Sequence, residues 1–163
     1  MPDQETIDRA HEDAREGKSP STQAGEFVRQ EMDHIREGKH GARSTKQAIA
    51  IGLSEARRAG VDVPPSKSSS AATRKQAKRD LARGRKPQRK VSAIRSRAVK
   101  QALKKEERAA ASPGALSKQA RSSARRRTAS ERSSAARKAV RTKGAAGRSA
   151  AAKKAARTRA RNK

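Results

Sequence analysis

Of the 43 lysines and arginines in this chain, 33 lie beyond residue 65, where only 4 aspartates and glutamates accompany them. The first 65 residues hold 10 basic and 12 acidic side chains, so a head of formal charge −2 is joined to a tail of +29. A segment carrying like charges at that density either stays solvated or meets a polyanion. Burial offers no way out. Hydrophobic residues make up 31% of the 163 residues and aromatics 1%, and much of the apolar fraction is alanine, which removes little area from water. Most of the chain therefore cannot offset the roughly 1–2 kcal/mol per residue that ordering a backbone costs. The expected architecture is mainly α: a small helical hairpin or three-helix head, then a basic, largely disordered or conditionally helical tail. Its divisions are a head over residues 1–65, a Ser/Pro/basic linker over 66–87, a basic amphipathic helix over 88–111 and a polycationic low-complexity tail over 112–163.

Within the head, three helices are legible. The first, over residues 3–16, sets Ile7, Ala10, His11 and Ala14 on one side and stops at Gly17. The second starts near Ser19 and Ser21, with Pro20 suited to a first turn where its missing N–H is not needed. It runs to Gly38 with Ala24, Phe27, Val28, Met32 and Ile35 in one stripe, and Phe27, the only aromatic of the chain, marks the centre of the core. The third opens with the S-x-x-Q spacing of a capping box, Ser44 and Gln47, and ends at Gly60, with Val61 placed for an apolar contact and Pro64 and Pro65 barring continuation. Ile49, Gly52, Leu53, Ala56 and Gly60 share one of its faces. Ile51 points away from that face, so the helix is apolar on two sides, and Ile51 is a candidate contact for a partner or for a second copy of the chain in a homodimer.

Several chemistries are excluded or left without support. There is no cysteine, so disulfides, thiolate metal sites and cysteine nucleophiles do not arise. The three histidines, His11, His34 and His40, match no metal-ligand spacing and are expected as exposed or turn residues, so no metal or other cofactor is expected. No phosphate-binding glycine loop or Ser/His/Asp set occurs, and the carboxylates of "HEDARE" belong to a solvated acidic face, so the chain is not read as an enzyme. The acidic opening, "MPDQETIDRAHEDARE", has no apolar core, and no run approaches a membrane span, which gives no membrane partner and an expected cytoplasmic, nucleoid location.

The tail carries the stronger signal. Residues 88–111 place Val91, Ile94, Ala98, Ala102 and Ala109 on one stripe, with Arg97, Lys100, Lys104 and Arg108 opposite. From Ala115 onward Ala, Ser, Lys and Arg dominate, residues that form helices readily but supply no core. Phosphate contacts that release counterions follow from such a composition, whereas base readout does not. One asparagine, Asn162, and no tyrosine or tryptophan are available for adenine recognition or stacking. The expected contacts are Arg85, Lys86, Arg89, Lys90, Arg97, Lys100, Lys104, Arg125, Arg126, Arg127, Arg137, Lys138, Lys153, Lys154, Arg157, Arg159 and Arg161, and the expected partner is duplex DNA bound without sequence preference. A helix-turn-helix reading has only Thr45, Lys46 and Gln47 to offer the bases. Thr128 and Ser130, within "RRRTAS", would weaken binding if phosphorylated. An RNA or ribosomal partner, or a protein-interaction adaptor using the 44–60 helix, are the alternative readings.

The stretch "GEFVRQEMDHIREGKHGARSTKQAIAIGLSEARRAG", residues 25–60, resembles a module of small basic bacterial proteins of unknown function that are often labelled DNA-binding, with "KQAIAIGLS" and "EARRAG" at its core. The resemblance makes Ser44, Gln47, Ile49, Ile51, Leu53 and Gly60 its structural signature here and transfers no binding residue. The ending "GAAGRSAAAKKAARTRARNK" is similar to the Ala/Lys/Arg-rich tails of linker-histone-like proteins. With no family activity to carry over, the expected histone-like, nucleoid-associated role rests on the cationic tail.

Overall fold

The computed structural model describes residues 2–66, 69–86 and 92–161, the side chains of residues 142 and 143 excepted. Among the described residues the secondary structure is helical throughout: α1 (Gln4–Arg15), α2 (Pro20–Arg36), α3 (Thr45–Arg58), α4 (Ala71–Gly84), α5 (Ala93–Lys104), a 3-10 turn (Arg108–Ala111), α6 (Pro113–Arg125) and α7 (Ala129–Arg161). The chain divides into two compact units, Met1–Gln119 and Ala120–Lys163.

The first unit is built around α2, against which α1, α3 and the 3-10 turn pack, while α4 packs on α3. Proline at its first position and an extended Ser19 start α2, and Gly38 at φ +79° stops it, with the Lys39 N–H bonding back to the His34 carbonyl at 3.0 Å. The ends of α3 are as the sequence predicts. Ser44 Oγ accepts the Gln47 N–H at 3.2 Å, and Gln47 Oε1 reaches back to the Arg43 N–H at 3.0 Å. Gly60 takes φ +99°, which lets the Val61 N–H return to the Ala56 carbonyl at 3.0 Å and carries the Val61 side chain into the core.

Two faces are rotated from their expected positions. On α3 the buried row is Thr45, Ala48, Gly52 and Ala56, with Ile49 and Leu53 half-buried beside it. The cause is the closeness of α2: a Cβ on Gly52 would stand 2.8 Å from Val28 Cα, so only small side chains fit along the crossing. On α1 the buried residues are Thr6, Ala10 and Asp13, whereas His11 and Ala14 are exposed. Asp13 is tolerated there because Lys18 Nζ donates to its Oδ1 at 2.7 Å.

The core has two parts. Ala10, Ala24, Phe27, Ala56, Val61 and Val63 form one, with Phe27 fully enclosed, and the buried Arg57 Nε–H bonds the Val63 carbonyl at 2.9 Å. Met32, Ile35, Ala42, Ala48, Ala110 and Ala111 form the other. Here the expected boundary of the head at residue 65 fails, because Ala110 and Ala111 come from the 3-10 turn. Thr45 Oγ donates to the Ala110 carbonyl at 2.7 Å, Arg36 Nε to the Ala111 carbonyl at 3.1 Å, and the Gly41 and Ala42 N–H groups bond the Leu103 and Glu107 carbonyls.

The same contacts explain why the helix expected over 88–111 is shorter. Residues 88–91, including Arg89, Lys90 and Val91, lie outside the described residues, and α5 ends at Lys104 as the chain turns to meet residues 41 and 42. The expected linker, 66–87, contains α4, capped by Ser70 Oγ on the Thr73 N–H at 3.2 Å. Buried Ala77 and Asp80 hold it to α3, Asp80 accepting the Ser54 hydroxyl at 2.9 Å, and the Arg57 carbonyl lies so close to Gly84 that no Cβ fits between them.

The expectation of a largely disordered tail is also corrected, since α6 and α7 cover most of residues 113–161. Fourteen alanines among residues 120–163 give the helix its propensity without any core. Thr128 and Glu131 begin α7 as a capping box: Thr128 Oγ accepts the Glu131 N–H at 3.2 Å and Glu131 Oε2 accepts the Thr128 N–H at 2.8 Å. Gly144, at φ +63°, interrupts α7 and divides it into two helical stretches.

Candidate nucleic-acid interface

Cations of the head are answered by carboxylates close by in the fold. Arg9 pairs with Glu5 and Glu26, Lys18 with Asp13 and Glu16, Arg29 with Glu26, Arg36 with Asp33 and Lys39 with Glu37, all at 2.6–3.2 Å. Residues 120–163 cannot repeat that pattern, because they contain 16 lysines and arginines and a single acid, Glu131, which is engaged in capping α7.

Each described member of the expected contact set is exposed. Arg85 caps the C-terminus of α4 and Lys86 follows it; Arg97, Lys100 and Lys104 lie on α5; Arg125 ends α6; Arg126 and Arg127 lead into α7. Arg137, Lys138, Lys153, Lys154, Arg157, Arg159 and Arg161 lie on α7 and are exposed as well. Arg89 and Lys90 fall outside the described residues. On α7 the basic residues are distributed around the whole circumference instead of forming one stripe. A helix of this kind has no apolar side to dock on protein, but every side of it can approach phosphate. On α5, which buries no residue, Ile94 is 79% and Val99 58% exposed, so the stripe expected there is uncovered.

Ile51, the candidate partner contact, lies on α3. It is half-buried and stands one turn before Ser54, whose hydroxyl bonds Asp80 of α4. Residues 71–84 thus pack on α3 beside Ser54, one turn from Ile51.

A second grouping, not anticipated from spacing, lies at the C-terminal end of α2. Glu31, His34 and His40 each bring one potential ligand atom to within 4.8 Å of the others. Glu31 is 2% exposed, and the two histidines are half-buried with ring centroids 6.2 Å apart, edge to face, while His11 is exposed. Burial pushes the Glu31 carboxyl up to about 7; His40 opposes that shift, and Glu55 adds to it. The sequence signal is the Glu31-x-x-His34 pair on one helix face. His40 is the member that spacing conceals, because it returns to that face only after the turn at Gly38.

A family model described as a family of unknown function (DUF6496) matches residues 17–67, the span that contains α2, α3 and the Glu31–His34–His40 grouping. The chain is similar to that family over this span. No curated protein and no solved structure matches it.

Proposed function

We propose that the chain is a nucleoid-associated protein that binds duplex DNA without sequence preference, through lysine and arginine contacts to phosphate. The observation that carries this reading is the 16-to-1 excess of basic over acidic residues in Ala120–Lys163, on helices whose described Lys and Arg side chains are all exposed. Counterion release from even ten phosphate contacts gives a slope near −9 for the logarithm of affinity against the logarithm of salt concentration. The scarcity of asparagine and the absence of tyrosine and tryptophan favour backbone contact over base readout.

The test is binding of the full chain to two duplexes of unrelated sequence, and to a structured RNA in competition, across a salt series. A steep slope shared by both duplexes, with DNA preferred in competition, supports the proposal. A strong preference for one duplex would place recognition in the head, and a preference for the RNA would change the partner.

A further inference from the structure

The buried end of α2 presents an arrangement that the nucleic-acid reading does not use. Glu31 and His34 lie one turn apart on α2, and His40 follows the glycine turn that ends the helix. A carbonyl oxygen only accepts hydrogen bonds, so the His40 Nδ1 that lies 3.1 Å from the Gly41 oxygen carries the proton of that contact. In the neutral ring the lone pair is then on Nε2. That atom faces Glu31 Oε2 at 3.5 Å, a contact between two acceptors that needs a proton or a metal cation between them. The other carboxylate oxygen, Glu31 Oε1, is buried and has no hydrogen-bond partner. A metal cation among these atoms would bond the His40 lone pair and satisfy the Glu31 carboxylate together.

We propose that Glu31, His34 and His40 bind one divalent transition-metal ion of the zinc class. Two imidazole nitrogens and one carboxylate oxygen, with no sulfur, suit Zn2+ or Co2+ better than Ca2+ or Mg2+, which prefer all-oxygen shells, or Cu(I), which prefers sulfur. Around an ion bound at about 2.0–2.1 Å, tetrahedral ligands stand roughly 3.3 Å apart, so the widest pair closes by about 1.5 Å through side-chain rotation. The supporting contacts are those that orient metal-bound imidazoles: His40 Nδ1 on the Gly41 carbonyl, and His34 Nε2 within 3.4 Å of Asp3 Oδ2. The ion is a clamp in this arrangement. It fixes residue 40 to α2 next to Gly41 and Ala42, whose N–H groups hold the Leu103 and Glu107 carbonyls.

The experiment strips the full-length protein with a chelator and titrates it with Co2+, reading visible d–d absorbance, and then with Zn2+, reading displacement and melting temperature. The expected result is one equivalent of Co2+ with absorbance in the four- or five-coordinate range, displaced by Zn2+, and a rise in melting temperature of about 10 °C at 100-fold excess over the dissociation constant. His34→Ala and His40→Ala should each weaken binding by about 10-fold or more, and His11→Ala should leave it unchanged. Glu31→Gln separates ligation from folding. It keeps the shape and removes a buried charge, so the metal-free chain should melt no lower than the parent while the metal-dependent rise disappears. Absence of the absorbance, or a Zn2+-dependent rise that survives in Glu31→Gln or His40→Ala, overturns the site.

Discussion

Arg57, on α3, is 7% exposed and donates its Nε–H to the Val63 carbonyl at 2.9 Å; Arg157, on α7, lies open to solvent on a helix whose described side chains are nearly all exposed. The same side chain thus serves two kinds of structure. In Met1–Gln119 the buried Arg57 is matched to a specific acceptor, because an unpaired cation in that core would cost several kcal/mol. In Ala120–Lys163 no acceptor is supplied by the chain in comparable number, and helicity rests on alanine and a capping box. Order in the first unit comes from burial and in the second from local propensity, so the two should respond to different perturbations.

The largest test of that contrast is electrostatic. Replacing the lysines and arginines of residues 121–161 with glutamine should remove most of the DNA affinity. The parent chain should lose about 10^3- to 10^5-fold in affinity between 50 and 200 mM salt, and the variant far less, as read by fluorescence anisotropy with a labelled duplex. The head's melting transition should be unchanged. Next is Phe27→Ala, which empties the centre of the first core and should destabilise the head by about 3–5 kcal/mol in urea denaturation. If DNA affinity fell in parallel, the two units would not be functionally separable.

Smaller effects sharpen the comparison. Gly52→Val forces β-branched bulk against the Val28 backbone and should lower head stability by about 1–3 kcal/mol, without altering the helicity that DNA induces or preserves in the tail. Thr45→Val keeps the volume but removes the hydroxyl bonded to Ala110, leaving a buried carbonyl short of its donor. A loss of about 1–3 kcal/mol is expected, with faster exchange of amides in residues 108–111 as the local readout. Smallest is Thr128→Ala, which removes one half of the α7 capping box and should reduce local helix stability by about 1 kcal/mol. Circular dichroism should show less helix in the free protein, and saturating DNA should restore it.

Much of the head was legible because its signals are local. Ser44 and Gln47, Pro20, Gly38 and Gly60 announce helix ends by their own stereochemistry, and Phe27, the one Phe/Tyr/Trp side chain, marks the centre of one core. The segments the sequence concealed are those whose role depends on a distant partner. Ala110 and Ala111 carry no pattern that separates them from the alanines of α7; what distinguishes them is a hole lined by Met32 and Ile35 that accepts a methyl group. Asp80 looks like a stray acid in a basic run until Ser54 is brought to it. Among the candidate site residues, exposure of the cations followed from composition. The Glu31–His34–His40 grouping did not, because it combines a helical face with a residue beyond a turn, and no one-dimensional spacing encodes that return. The packing of α4 on α3 is concealed for a related reason: α4 is cut from a segment whose composition reads as linker.

The hydrogen bond from Thr45 to Ala110 spans 65 positions of the chain. During synthesis at about 5–20 residues per second, roughly 3–13 seconds separate the emergence of the donor from that of its acceptor. For that interval Met32, Ile35 and Ala48 lack the alanines that seal them, so the nascent head spends its first seconds as an open cup with an oily floor. The stretch that closes it arrives only after the strongly basic residues 74–105 have been made. The translation rate across residues 66–111 therefore sets how long that cup stands open.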